Sequence, residues 1–195
     1  MLRRFIGAIN GDALNRKASF LLDHMDRPVF PDSMRVYEQP RLPRGLGSAA
    51  FDSEGVATRE RDFITEGVLR SYVLDSYSAC RLGMETTGNS GGVRNLTIDP
   101  GDKDLAGLLR AMDTGLLVTE LIGFGVNVVT GDYSRGAAGF WVEGGEIRYP
   151  VDEITVAGNL RDMFLGIAEV GNDFDPRWAT RTGSVLIEQM TVAGA

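Results

Sequence analysis

The stretch AGFWVEGGEIRY, residues 138–149, sets two runs of β-favouring residues on either side of consecutive glycines. Phe140, Trp141 and Val142 precede Gly144 and Gly145, and Ile147 and Tyr149 follow them. Glycine supplies the positive φ that a tight turn needs, so the pattern predicts a hairpin through Glu143-Gly144-Gly145. The same signature recurs upstream, where residues 61–64 and 68–74 flank Glu66-Gly67. Leu116 to Ile122, Val126 to Val129 and Val185 to Val192 read as further strands. The first two are nearly all apolar, which predicts central positions in a sheet. Twenty-five glycines punctuate short apolar runs throughout, as in a turn-rich β protein.

Helical spacing is confined to a few segments. Leu105, Leu108, Leu109 and Met112 follow an acidic start at 102–104, where the helix dipole favours negative charge. Leu160, Met163, Phe164 and Ile167 repeat the pattern behind Gly158 or Asn159, with Gly171 as the stop. Leu2, Phe5, Ile6 and Ile9 form a third stripe, closed by Gly11 and preceded by no capping residue, so it reads as the end of a helix that starts earlier. If an N-terminal domain normally covers that stripe, Leu2, Phe5 and Ile6 are expected to be partly exposed or to drive self-association. The prediction is an α+β fold, mainly antiparallel or mixed β-sheet with two or three helices, forming a single domain over residues 1–195. The Pro/Gly-rich stretch 39–48 is a connection within that domain rather than a linker.

Composition narrows the function. The net charge is −7, yet residues 1–44 carry eight Lys/Arg against five Asp/Glu, leaving twelve against twenty-two in the remainder. An acidic body with scattered arginines argues against a nucleic-acid partner, because phosphate binding is driven by clustered cations. The weakly basic start is suited to docking on an acidic surface. A single cysteine, Cys80, cannot form an internal disulfide, which points to a reducing, cytoplasmic setting. No apolar run reaches the length of a membrane span.

Few residues promise chemistry. Gly88-Asn89-Ser90-Gly91-Gly92 is similar to the nucleophile stretch of trypsin-like proteases, but a serine nucleophile needs a base, and the sole histidine, His24, sits in the charged run 23–27. A glycine-rich turn is the better reading. One histidine and one cysteine cannot make the usual transition-metal ligand sets. The acids between Asp99 and Asp104 lack the spacing of a calcium loop and read as a turn plus a helix start, and Asp52 with Glu54 or Asp152 with Glu153 read as surface acids. What remains is Asp132-Tyr133-Ser134-Arg135, polar residues between an apolar strand and a hairpin with glycines around them. They suit recognition of a peptide backbone or carboxylate. The equal alternative is that Asp132 and Arg135 only satisfy each other and local amides at a strand junction.

Three stretches carry a family resemblance: GVNVVTGDYSRGAAGFWVEGGEIRYPVDEITVAGNLRDMF, FDSEGVATRERDFITEGVLRSYVLDSYSACRLGMETTGNSGG and NRKASFLLD. From about Phe5 to the end, the chain resembles the C-terminal region of the PmbA-type (TldE) subunits of the TldD/PmbA metallopeptidase family, also called modulators of DNA gyrase. The resemblance implies a cytoplasmic zinc peptidase assembled from TldD-type and PmbA-type subunits and acting on linear or unfolded peptides. It also implies a further N-terminal domain that this sequence lacks. In TldD-type subunits a His-Glu-x-x-x-His helix and a C-terminal cysteine hold zinc. Sliding that motif onto this chain places its positions at Leu2, Arg3, Gly7 and Thr182, none of which binds zinc. The resemblance therefore implies a non-metal subunit or fragment with no cofactor of its own, whose zinc resides in a TldD-type partner forming a heterodimer with it. Asp132, Tyr133, Ser134 and Arg135, with Asn15, Arg16 and Lys17 nearby, are the expected peptide-cleft or subunit-interface residues. The competing classes are a free-standing enzyme with a carboxylate site and a non-catalytic peptide-binding remnant.

Overall fold

A computed structural model describes residues 1–194. Its elements in chain order are α1 (Leu2–Ala8), α2 (Gly11–Asn15), β1 (Val36–Glu38), β2 (Arg61–Thr65), β3 (Val68–Leu69), α3 (Ser76–Leu82), β4 (Leu96–Ile98), α4 (Leu105–Met112), β5 (Gly115–Ile122), β6 (Asp132–Glu143), β7 (Glu146–Asn159), α5 (Leu160–Leu165), β8 (Ile167–Val170), β9 (Thr180–Arg181), β10 (Val185–Ile187) and β11 (Thr191–Ala193). The sheet-rich α+β class is as the sequence predicts. Among the described residues five helices, none longer than eight residues, take the place of the two or three expected.

The chain divides into two compact units. The first contains residues Met1–Asp99, Val128–Thr130 and Asp175–Arg181. Its sheet has the order β3-β2-β1-β4-β9, antiparallel except for the parallel pair of β4 and β9. Glu66 and Gly67, at φ 49° and 73°, close the β2–β3 hairpin, whose register pairs Ile64 with Leu69. The second strand of that hairpin is short, ending at Leu69 rather than at Leu74. Phe5, Leu14, Leu21, Val36, Phe63, Ile64, Leu69 and Leu74 form the core, with the Phe5 and Phe30 rings edge to face at 5.1 Å. Leu2 and Phe5 are thus buried within this unit and Ile6 is half-buried, contrary to the exposed stripe expected. The reason is local: α1 lays that face on the unit's own aromatic core. Helix α3 carries no clear apolar period and had no sequence signal, but its capping box is complete, with Asp75 accepting from Ser78 N and Ser78 Oγ accepting from Asp75 N.

The second unit contains Pro100–Asn127, Gly131–Phe174 and 182–194. Its dominant feature is the hairpin of β6 and β7, twelve and fourteen residues long, in a sheet of order β11-β7-β6-β5. Gly144 and Gly145, at φ 62° and 72°, make the turn read from the sequence. Strand β5 forms where expected but at the sheet edge, half-buried and then exposed along its length, so its apolar content did not mean a central place. Val126 to Val129 is not a strand. Asn127 N donates to Asp132 O and Gly131 N to Asn127 O, closing a turn that leaves only a single bridge between Val126 and Tyr133. Residues 185–192 split into β10, paired with β8, and β11, paired with β7.

Both helices of this unit begin where the sequence predicts, α5 at the Asn159 cap and α4 at the acidic start 102–104, in which Asp104 is the capping residue. Asp104 accepts from Gly107 N at 2.8 Å and Asn159 from Arg161 N at 3.0 Å. Helix α5, however, stops at Leu165. Gly166 N caps it on Asp162 O and Phe164 O, and Ile167 to Val170 become a strand, because an Ile/Val-bearing segment that matches the helical period by chance also suits a sheet.

Candidate functional site

The structure places all four residues singled out at 132–135 at the start of strand β6, not in a loop. Alternation along the strand buries Tyr133 and leaves Asp132 and Ser134 exposed, with Arg135 between. Asn159 Nδ2 lies 3.4 Å from Asp132 Oδ1. Ser134 N donates to Gly125 O at 2.7 Å, and Arg135 Nη2 donates to Leu121 O at 2.8 Å. The start of β6 therefore clamps the segment that follows β5. Gly125 permits this clamp, since a Cβ there would stand 1.9 Å from Ser134 O. Phe124, at the tip of the clamped segment, is 93% exposed.

Asn15, Arg16 and Lys17 belong to the first unit and the β6 residues to the second. Arg16 is the C-cap of α2, and its Nε donates to Asp12 O at 3.1 Å, where a cation complements the helix dipole. Lys17 adopts φ 52° and is exposed, which ends the helix in the left-handed region. Asn15 Nδ2 is buried without a hydrogen-bond acceptor among the described residues.

The most elaborate polar centre is one the sequence reading missed. Glu38, at the end of β1, is 1% exposed. It accepts from Asn89 Nδ2 at 2.7 Å and from Arg94 N at 2.9 Å. Burial pushes its carboxyl upward, an effect that Asn89, the Arg94 amide and the nearby Arg61 guanidinium partly offset. Arg61 reaches Ser71 Oγ and Thr87 O, both at 3.3 Å, and burial lowers it while Glu38 raises it. The signal was present in β1, where Val36 and Glu38 lie two apart on one buried face, so the glutamate points where a core side chain should. Asp52 also differs from the sequence expectation. It is buried rather than a surface acid, and it accepts from the amides of Glu54, Val56 and Ser90. Burial alone would raise it, but those amides outweigh the effect and hold it below the usual carboxylate range. The glycine-rich 88–92 stretch is a turn, as read, tied to the sheet through Asn89 and to Asp52 through Ser90.

Residues 1–194 match the family described as the PmbA/TldA metallopeptidase C-terminal domain. The chain belongs to that family. It is similar to metalloprotease PmbA of Escherichia coli O157:H7, with 51% identity over 189 residues covering 97% of this chain and 42% of that protein. A solved structure of a candidate modulator of DNA gyrase from Bacteroides thetaiotaomicron aligns with a TM-score of 0.94 at 36% identity, covering all of this chain and 44% of that one. TldE from Thermococcus kodakarensis aligns with a TM-score of 0.84 at 26% identity, over 97% of this chain and 46% of its own. The chain thus spans less than half the length of these PmbA/TldA relatives.

A metallopeptidase family implies a metal, and the donors here do not fit one. Among the described residues no group of three or more His, Cys, Asp or Glu side chains is placed to hold an ion. At the positions the resemblance assigns to zinc binding stand a buried Leu2, an exposed Arg3, Gly7 without a side chain, and Thr182. A zinc centre needs a cluster of anionic or imidazole donors, and an arginine there opposes both the cation and proton abstraction. No described helix is long and apolar enough to cross a membrane.

Proposed function

We propose that this chain is the non-metal side of a two-subunit, cytoplasmic TldD/PmbA-type peptidase acting on linear or unfolded peptides. The single observation that carries the reading is the donor mismatch at Leu2, Arg3, Gly7 and Thr182 within a metallopeptidase family. Zinc resides in a TldD-type partner, and this chain contributes binding surface. Asp132 and Ser134 offer exposed polar groups to a peptide or to the partner. Tyr133, buried, and Arg135, held by Leu121 O, keep that strand start in place. Asn15, Arg16 and Lys17 supply a second group of contacts, in which the exposed cations match carboxylates. An extended peptide suits such a surface because main-chain pairing is independent of side-chain sequence.

The test is reconstitution. Mixing this chain with a TldD-type subunit is expected to give a co-eluting complex that cleaves an unfolded peptide with zinc and not after chelation, while neither chain alone does so. Asp132→Asn combined with Ser134→Ala is expected to raise KM or weaken the complex. Peptide cleavage by the isolated chain that survives chelation overturns the reading.

A further inference from the structure

Strand β5 is the outer strand of the second unit's sheet, and its backbone ladder runs to β6 alone among the described strands. In such a strand alternate amides and carbonyls point away from the single neighbour, so the free side carries a row of unused donors and acceptors. Soluble proteins commonly blunt an edge with Lys, Pro or brevity. The opposite edge, β11, has three residues, whereas β5 has eight, with neither Lys nor Pro and one irregularity between Val118 and Glu120. The edge continues into an apolar lip, in which Leu121 is 37%, Ile122 50% and Phe124 93% exposed. That lip is held in place: Arg135 Nη2 donates to Leu121 O, Ser134 N to Gly125 O, and Val126 N to Phe124 O at 2.7 Å across Gly125. An aromatic side chain on a fixed backbone has little freedom left to lose when it is covered, which suits it to anchor a partner. Charge selects that partner. Residues 113–132 contain Asp113, Glu120 and Asp132, all exposed, and no Lys or Arg. The second unit as a whole holds thirteen Asp/Glu against five Lys/Arg, while the first is nearly balanced at fourteen against fifteen.

We propose that the free edge of β5 takes up an extended, cationic polypeptide segment as an added strand. Main-chain pairing along β5 supplies the register, the Leu121, Ile122 and Phe124 lip covers apolar side chains, and Glu120 and Asp113 meet Lys or Arg. A second copy of this chain is the poorer occupant, because it brings the same acids against these. An acidic segment is repelled for the same reason. The inference names the kind of peptide the second unit receives, and it rests on the reading of that unit as a peptide-binding surface.

The experiment is a ¹H–¹⁵N NMR titration of the whole chain, at neutral pH and without metal, with acetyl-Lys-Val-Lys-Val-Lys-Val-amide, whose lysines are all charged there. Saturable shifts are expected at the amides of residues 115–125, together with slower hydrogen exchange in β5, the signature of new main-chain bonds. Two probes separate the contributions. The Glu-for-Lys peptide keeps the pattern and reverses the charge, and the cationic peptide with every backbone amide N-methylated keeps the charge and cannot donate to the edge; neither is expected to bind. Glu120→Lys, at an exposed side chain, is expected to weaken the cationic peptide about tenfold and to admit the acidic one. Phe124→Ala, at the exposed lip, is expected to weaken it about tenfold. Equal binding of the acidic or the N-methylated peptide, shifts outside 115–125 only, no added protection in β5, or affinity unchanged by Glu120→Lys each overturns the proposal. So does a dimer in sedimentation equilibrium whose formation protects β5, which makes a second copy the occupant. Because the titration needs neither zinc nor a second subunit, its failure is distinct from a failure of the reconstitution.

Discussion

The two units are held by different means. In the first, buried polar side chains stitch loops to a sheet of very short strands: Glu38, Asp52, Asn89 and Asn95 each bridge segments far apart in sequence. In the second, none of the described side chains that are both polar and buried occurs, and order comes from the backbone ladder of β5, β6 and β7. A polar interior has a single satisfied arrangement and fails when one partner is lost, whereas a ladder distributes its bonds over many residues. The first unit is accordingly the more sensitive to side-chain chemistry and the second to backbone geometry.

Glu38→Ala tests that contrast most severely. It strands Asn89 Nδ2 and Arg94 N in the interior, with an expected loss of about 3 kcal/mol in urea unfolding. Hydrogen exchange should speed up in β1, β2 and β4 and leave β6–β7 protected. Uniform loosening of both units would break the comparison. Gly125→Ala is the counterpart in the second unit, where a Cβ meets a carbonyl oxygen and the segment must shift, at a cost of about 2 kcal/mol with faster exchange confined to β5 and β6. Asp104→Ala removes one cap from α4 and should cost about 1 kcal/mol, read as reduced helicity by circular dichroism and a lower unfolding midpoint.

The smallest effect is one of pH. Asp52 and Asp75 have depressed folded-state values, so each contributes stability that is present above 3.8 and lost as the pH falls through its lower folded value. Glu38 is raised, so its contribution runs the other way, present below the ordinary 4.5 and lost as pH rises. Acid unfolding followed by fluorescence should therefore show a shallower decline below pH 3.8 in Asp52→Asn than in the unaltered chain. An unchanged slope would mean the three amides do not favour the ionised form.

What could be read from the sequence follows the same division. The Gly144-Gly145 turn, the acidic start at 102–104 and the Asn159 cap are local devices whose residue types state their purpose, so the second unit's hairpin and both its helix starts were legible. Its edge was not, because apolar content at Leu116–Ile122 says a strand is present and nothing about what covers it. In the first unit, strands of two or three residues are too short to show a period, and α3 depends on its caps rather than on an apolar stripe. Asp52 read as a surface acid and Glu38 drew no notice, because Ser90, which ties Asp52 to the 88–92 turn, and Asn89 and Arg94, which hold Glu38, lie tens of residues away in sequence. Asp132 to Arg135 were noticed as an unusual polar cluster, yet sequence alone could not show that strand alternation splits them into two inward and two outward side chains.

The parallel pair of β4 and β9 also sets a schedule. Thr180 joins Leu96 only after most of the second unit, through Phe174, has been made, so β4 waits with a free edge for roughly 4 to 17 s of ribosomal synthesis at about 5–20 residues per second. The hairpin of β6 and β7, by contrast, closes within microseconds of its emergence. Through that interval the nascent chain carries one finished ladder and one open edge, and an unpaired strand is the surface on which neighbouring copies or a chaperone act first.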